Sequence, residues 1–431
     1  MTKLILATDC FPYGKGEKTF IIPELMRLRQ HYDVTIVSHA DGEQFRGGLC
    51  TDLPEGVELI CFGRPELSAI DKVKALALFL LDRHARREIR EILREKKNRR
   101  ERLYQSLSFF AQTLSDQKKL RRSGILIGKE PIIYYSFWYT YFCYSAVLEC
   151  RRGKRSNVRM ITRAHGVDLY HERIPGNRQP FKHQMEPGLD AILFACDYAR
   201  RYYREQISQY IDESRLHVCK LGTEAVQAPA AYRTQEAWHV VSCSNVIPLK
   251  RISLIIDGLA MMEGDKIHWT HIGDGVELQR MQDYAREKLD VKDNISYSFQ
   301  GYMENDKILR YYTEHPADCF ITTSSTEGGC PVSIQEAMKF GTPVIGTDVG
   351  GITEMIQGNG ILLPADPDRE AVAAAIRQIM TSDQESLSAM RRASIALWRR
   401  EFDIDVNVAK VCAILDGTDI EDLEEICKTQ G

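Results

Sequence analysis

The chain has 431 residues, too many for one hydrophobic core, so two domains of roughly 200 residues are expected. Hydrophobic residues make up 44% and charged residues 27%, the balance of an ordinary globular chain, and a net charge of −3 gives no indication of a nucleic-acid partner. Twelve cysteines occur without C-x-x-C or C-x-x-H spacing, which argues against a zinc site or a disulfide framework and for a reducing, cytoplasmic setting.

"MTKLILATDC" reads as a first strand, not as a signal peptide. A helix-like "FIIPELMRLRQ" and a strand-like "YDVTIVSH" follow. Residues 83–122 hold 14 Lys/Arg against 5 Asp/Glu, a net of +9, so the remainder carries −12. This segment has a helical pattern, with Leu81, Ile89, Ile92, Leu93 and Leu103 supplying an apolar side. Two readings stand: a helix lying on anionic lipid, or a solvated helical excursion. The 17 uncharged residues from Ile132 to Leu148 are crowded with tyrosine, which favours a buried strand running into a buried helix over a membrane span.

"PIIYYSF", "RMITRAHG" and "DAILFAC" continue the alternation, and "WHVVSCSN", "KIHWTHIG", "NISYSFQG", "ADCFITTS" and "TPVIGTD" repeat it in the second half. Strands alternating with helices imply parallel sheets covered on both faces. The expected architecture is α/β: two doubly wound, Rossmann-like domains facing a central cleft. The bounds read as a first domain at 1–222, a linker rich in Ala, Pro and Thr at 223–237, a second domain at 238–400, and a helical tail at 401–431 packing back on the first domain. Six acids and no basic residue stand between Asp416 and Glu425.

Ligands of such sheets sit beyond the carboxyl ends of the strands. There "STEGGCPVSIQEAM" follows a strand, with Gly328 and Gly329 freeing the backbone and Pro331 suited to a first helical turn. The N–H groups of that helix start suit a diphosphate. Glu327 before it and Glu336 inside it can accept hydrogen bonds from hydroxyls. A diphosphate with hydroxyls on both sides is a nucleotide sugar. On these residues alone a dipole-favouring acid and a solvated helical Glu explain the pattern equally well.

The block E-G-G-C-P-V-S-I-Q-E-A-M with "FGTPVIGTDVGGITEMI" resembles the E-x7-E signature of retaining GT-B glycosyltransferases of family 4. "SCSNVIPLKRISLIIDGLA", "HIGDGVELQRMQ" and "FQGYMENDKILRYY" resemble that family's second-domain units. "FPYGKGEKTF" and "RAHGVDLYHERI" resemble members that build bacterial surface polysaccharides. Two departures stand out. Eight residues separate the glutamates instead of seven, so a one-residue bulge is needed for Glu327 to act as the first Glu. Asn245 replaces the family's usual Arg, which leaves the phosphate clamp to Lys250 with Arg251.

The resemblance implies catalytic roles for His165, Lys250 and Glu327. His165 contacts the donor sugar, Lys250 neutralises the diphosphate, and Glu327 holds sugar hydroxyls. Glu336 holds the ribose. Gly14 and Gly16 bring backbone against the phosphate. Gly328, Gly329, Cys330 and Val332 line the sugar and phosphate, while Asn245, Gly273, Gly301 and Tyr302 shape the nucleotide pocket. Asp168 binds acceptor or positions His165, an N-cap role being the plainer alternative. The implied reaction is retaining, metal-independent transfer from a nucleotide sugar, with no cofactor, to a glycan or polyprenyl-linked saccharide. The implied setting is surface-polysaccharide synthesis in the cytoplasm, at the inner face of the membrane. Competing readings are a nucleotide-sugar epimerase or phosphorylase of this shape and a non-catalytic scaffold subunit. A nicotinamide oxidoreductase is disfavoured, because no G-x-G-x-x-G follows the first strand and "GDGVEL" lacks the third glycine.

Overall fold

The computed structural model describes residues 1–208, 212–226 and 236–418, without the side chain of Lys15. Most of the segment read as a linker, and the acidic stretch beyond residue 418, lie outside the described residues. The chain divides into two compact units: unit 1 is Met1–Cys219 with the chain from Val408 on, and unit 2 is Lys220–Asn407.

Unit 1 holds seven strands: β1 (Thr2–Thr8), β2 (Tyr32–Ser38), β3 (Glu58–Cys61), β4 (Ile132–Ser136), β5 (Val158–Ala164), β6 (Ala191–Phe194) and β7 (Leu216–Val218). Their order is β3-β2-β1-β4-β5-β6-β7, and every pairing is parallel. In register, Leu4 lies opposite Val34 on one side and Ile133 on the other. The helices are α1 (Lys18–His31), α2 (Gly42–Arg46), α3 (Ala69–Leu81), α4 (Arg83–Arg94), α5 (Arg99–Ser123), α6 (Tyr141–Gly153), α7 (Gly166–Leu169), α8 (Lys182–Met185) and α9 (Asp197–Tyr202). Every residue of β4 is buried, as is most of α6, which matches the uncharged tyrosine-rich run. Parallel strands covered on both faces have no solvent side on which polar residues would alternate.

Unit 2 repeats the plan with β8 (Trp238–Cys243), β9 (Ile267–Ile272), β10 (Ile295–Phe299), β11 (Cys319–Thr322), β12 (Val344–Thr347) and β13 (Gly360–Leu363), in the order β10-β9-β8-β11-β12-β13. Its helices are α10 (Ile252–Ala260), α11 (Leu278–Leu289), α12 (Asn305–Glu314), α13 (Val332–Lys339), α14 (Arg369–Met380) and α15 (Gln384–Glu401). Val240, Trp269, Ile256, Ile321 and Ile345 belong to its core. The last described helix, α16 (Ile404–Asp416), starts in unit 2 and ends in unit 1, where the Arg159 guanidinium donates to the Ile414 carbonyl at 3.0 Å.

In both sheets the winding reverses once, between β1 and β4 and between β8 and β11. Loops leaving these strands diverge to opposite faces and open a crevice at the strand ends. Residues 9–17 and 137–140 leave the switch point of unit 1, and residues 244–251 and 323–331 leave that of unit 2.

The basic segment forms two helices, not one. Asn98, at φ 54°, breaks it before α5. Nor do its apolar residues make one outward side: Ile92 is fully buried, Ile89 and Leu103 are half-buried, and Leu81 and Leu93 face water. Ile92 turns inward on the same face as Ala85 and Glu88, the buried residues of α4.

Candidate active site

The switch point of unit 2 is strapped together by its own backbone. Ser325 N–H donates to the Leu249 carbonyl at 2.9 Å, and the Thr323 hydroxyl donates to the Lys250 and Arg251 carbonyls at 3.2 and 3.0 Å. The strapping carries Lys250 and Glu327, 77 positions apart, into direct ammonium–carboxylate contact. Both side chains are mostly covered yet reach solvent, at 17% and 12% exposure. The loop's path depends on the glycine pair that follows β12. Gly350 sits at φ 54°, and a methyl on it or on Gly351 would overlap the backbone of Glu327 or Gly329. The Cys330 thiol, buried beside this contact, donates to the Gly351 carbonyl at 3.6 Å. Gly328 stands half-buried in the same loop.

Pro331 occupies the N-cap of α13, one place before the first helical residue. Ile334 and Gln335 N–H both bond back to its carbonyl, so Val332 and Ser333 precede the first bonded turn. Glu336 lies on the inner side of this helix, 3% exposed, and accepts from the Asn305 amide at the start of α12. Burial raises its carboxyl from 4.5 to about 7, opposed by the nearby Lys339 ammonium and the Asn305 bond. Cys243 and Tyr312 are close enough to feel its charge. Asn305 was not singled out in the sequence, since it stands 31 positions from Glu336 on another helix.

Arg251, at φ 48°, turns its guanidinium to the carbonyls of Thr323, Ser324 and Ala365 and to Asp366. It staples three segments together. Asn245 is exposed. Gly273 and Gly301 are brought together, Gly273 N–H donating to the Gly301 carbonyl at 2.8 Å, and Tyr302 beside them is 60% exposed.

In unit 1 the loop after β1 is held by a residue the sequence reading passed over. The buried Glu17 carboxylate accepts from the N–H of Asp9, Cys10 and Phe11, at 3.2, 2.6 and 2.6 Å, and from the Trp138 indole. Gly14 is buried in this turn, its N–H donating to the Cys10 carbonyl at 2.9 Å. Gly16 is exposed, with open space where a Cβ would stand.

His165 caps α7, and its backbone N–H donates to the Asp168 carboxylate at 2.6 Å while its ring accepts from the Asp168 N–H. Its Nε2 donates to the Phe137 carbonyl at 3.1 Å, which leaves Nδ1 as the acceptor. Both ring nitrogens are therefore engaged. Burial, with Arg163 nearby, lowers its pKa to about 3, so the ring is neutral. It lies against Trp138 and Phe137, 4.5 and 5.3 Å between centroids. Asp168 also accepts from Tyr139 N–H at 2.7 Å. Burial raises the Asp168 carboxyl and lowers the Lys182 ammonium, and their mutual attraction opposes both shifts. Asp168 is thus integral to the turn that carries His165. Among the described residues, no group of three or more His, Cys, Asp or Glu is placed to hold a metal ion.

Residues 230–396 match the family described as group 1 glycosyl transferases. The amylovoran biosynthesis glycosyltransferase AmsK of Erwinia amylovora is 22% identical over 315 residues, spanning 70% of this chain and 75% of AmsK. Two solved structures share the fold at a TM-score of 0.65: Anabaena Alr3699/HepE in complex with UDP (14% identity, 97% of this chain, 100% of that one) and a glycosyltransferase from Rickettsia africae (13%, 96% and 98%). The two Rossmann-like units define a protein of the GT-B architecture. The chain has the GT-B fold, its residues 230–396 are related to the group 1 glycosyl transferases, and it resembles glycosyltransferases of bacterial surface polysaccharides.

Proposed function

We propose that the chain transfers a sugar, with retained anomeric configuration, from a nucleotide-diphosphate sugar to a glycan or polyprenyl-linked saccharide in surface-polysaccharide synthesis. The observation that carries this reading is the convergence of Lys250, Glu327 and buried Glu336 around the switch point of unit 2. Lys250 and the opening N–H groups of α13 suit the diphosphate. Glu336, with Asn305, suits ribose hydroxyls, and Glu327 the sugar. The likeness to a chain solved with UDP supports a nucleotide donor.

In the reaction, the bond from the anomeric carbon to the diphosphate oxygen breaks through a cation-like state, and the acceptor oxygen bonds on the same face. The acceptor proton passes to the leaving diphosphate. Lys250 stabilises the charge that develops there, and no metal is called on. His165 is neutral with both nitrogens engaged, so its part is to present a fixed ring and its adjoining backbone to the sugar, while Asp168 keeps that turn in place. We further assign the work to the cytoplasmic inner face of the membrane, with anionic lipid near residues 83–122.

Incubation of each nucleotide sugar with and without a saccharide acceptor tests the reading. The expected product forms only with acceptor, and its anomeric coupling constant by NMR matches the donor's. A donor altered in the absence of acceptor would make the protein an epimerase. An inverted product would remove the same-face mechanism.

A further inference from the structure

We propose that α3 docks on an anionic bilayer, its apolar stripe seated at the acyl boundary and the arginine stripe of α4 among the lipid phosphates. This rests on the membrane-surface part of the proposed function and adds to the basic segment an apolar contact on an element outside it.

α3 reads AIDKVKALALFLL, and only Ala75 and Phe79 of it are buried. Phe79 anchors the helix against Phe110 and Phe181. The rest of its apolar content faces water: Ile70 is 66% exposed, Val73 69%, Leu80 57% and Leu81 72%. Positions 70, 73, 77 and 80 recur at helical spacing, so these residues form one continuous stripe on the side away from Phe79. Isolated exposed leucines are ordinary, but a contiguous stripe marks a surface that something covers.

The neighbouring charge says what covers it. Asp82 ends α3 and caps α4, its carboxylate accepting from His84 and Ala85 N–H. On α4, Arg83, Arg86, Arg90 and Arg94 are all exposed and fall on one face. None has a carboxylate partner among the described residues. The acids on α4 and just beyond it are engaged elsewhere: Arg178 takes Glu88, Glu91 and Glu95, and Arg87 and Arg102 add to the last two. Helices α3, α4 and α5 pack on one another, so the helix that carries the apolar stripe lies beside the one that carries the unpaired arginines. An anionic lipid surface offers the complement of both features. A second copy of this chain would bring the same arginines against their twins.

Cosedimentation of the full chain with vesicles of phosphatidylglycerol in phosphatidylcholine, against phosphatidylcholine alone, tests this. Wild type is expected to bind only the anionic vesicles. The variant Ile70→Ser/Val73→Ser/Leu80→Ser/Leu81→Ser should lose about tenfold or more in partitioning while circular dichroism is unchanged. Arg86→Gln/Arg90→Gln/Arg94→Gln should bind more weakly and with less dependence on salt. Val73→Trp should show a blue shift in emission on anionic vesicles. Equal recovery with both vesicle types, full binding by the serine variant, or no shift in the tryptophan variant overturns the proposal. So does a lipid-free dimer that the serine variant turns into a monomer. Vesicle binding by a chain that transfers no sugar leaves this proposal standing and removes the transfer reading instead.

Discussion

The two switch points are built alike and furnished differently. In unit 1 the main polar groups of the crevice are each tied to several partners: Glu17 to four donors, both nitrogens of His165, and Asp168 to two N–H groups with Lys182 nearby. In unit 2, Lys250 and Glu327 hold each other by one ion pair that reaches solvent. A charge held by one exchangeable partner can be handed to a ligand, whereas a charge holding several buried N–H groups cannot leave without cost. Unit 1 thus offers fixed shape, and unit 2 offers redistributable charge. Substitution should accordingly cost structure in the first and chemistry in the second.

The largest effect expected is that of Lys250→Ala, which should lower the turnover rate about 100- to 1,000-fold, the cost of losing one group that stabilises developing charge. Circular dichroism should be unchanged. Near-normal turnover would remove Lys250 from the mechanism.

Glu336 sharpens the comparison through pH. Its folded carboxyl, raised to about 7, keeps a proton that the unfolded chain releases near 4.5. The folded state binds more protons in that window, so stability should fall as pH rises from about 4.5 to 7 and level off above, by at most about 3 kcal/mol. Denaturant titrations that follow unit 2 should show the slope in wild type and lose it in Glu336→Gln. An equal slope in both would mean the carboxyl titrates normally.

Glu17→Ala strands buried N–H groups of Asp9, Cys10 and Phe11 and should destabilise unit 1 by about 2–3 kcal/mol, read as a lower denaturation midpoint. An unchanged midpoint would mean water replaces the carboxylate freely. The smallest effect has two signs. Glu327→Gln removes the competitor for Lys250, so affinity for a bare nucleoside diphosphate should rise a few-fold while transfer falls about tenfold. Parallel losses in both would show that Glu327 supports the loop and does not meet the sugar.

Ten strands were legible because each carries a compact apolar run before a glycine or charged turn. β3, β7 and β13 were not. They are three or four residues long, and β3 and β13 lie at sheet edges and are only partly covered, so little burial shapes the pattern. Glu327, Lys250 and Glu336 were named from motif and resemblance, Lys250 and Glu327 in loops that leave strand ends and Glu336 inside the helix that follows. Asn305 and Glu17 were not, because a partner is defined by tertiary contact and leaves no local spacing. Arg251 was read as a phosphate ligand, and its stapling of three segments shows only in the folded chain. The stripe on α3 has the period of a core-facing helix, and sequence alone does not tell which way it turns.

The central claim is that unit 2 holds a nucleotide-diphosphate sugar through Lys250. Thermal unfolding of wild type and Lys250→Ala, each with UDP-, GDP-, ADP- and dTDP-sugars, tests it most directly, because a ligand of the folded state raises the melting temperature. The account predicts that one nucleotide raises the wild-type midpoint by several degrees, about 2.7 kcal/mol of stabilisation at a hundredfold excess over Kd, and that Lys250→Ala loses most of the rise. No shift with any of the four, or an equal shift in the variant, would contradict it.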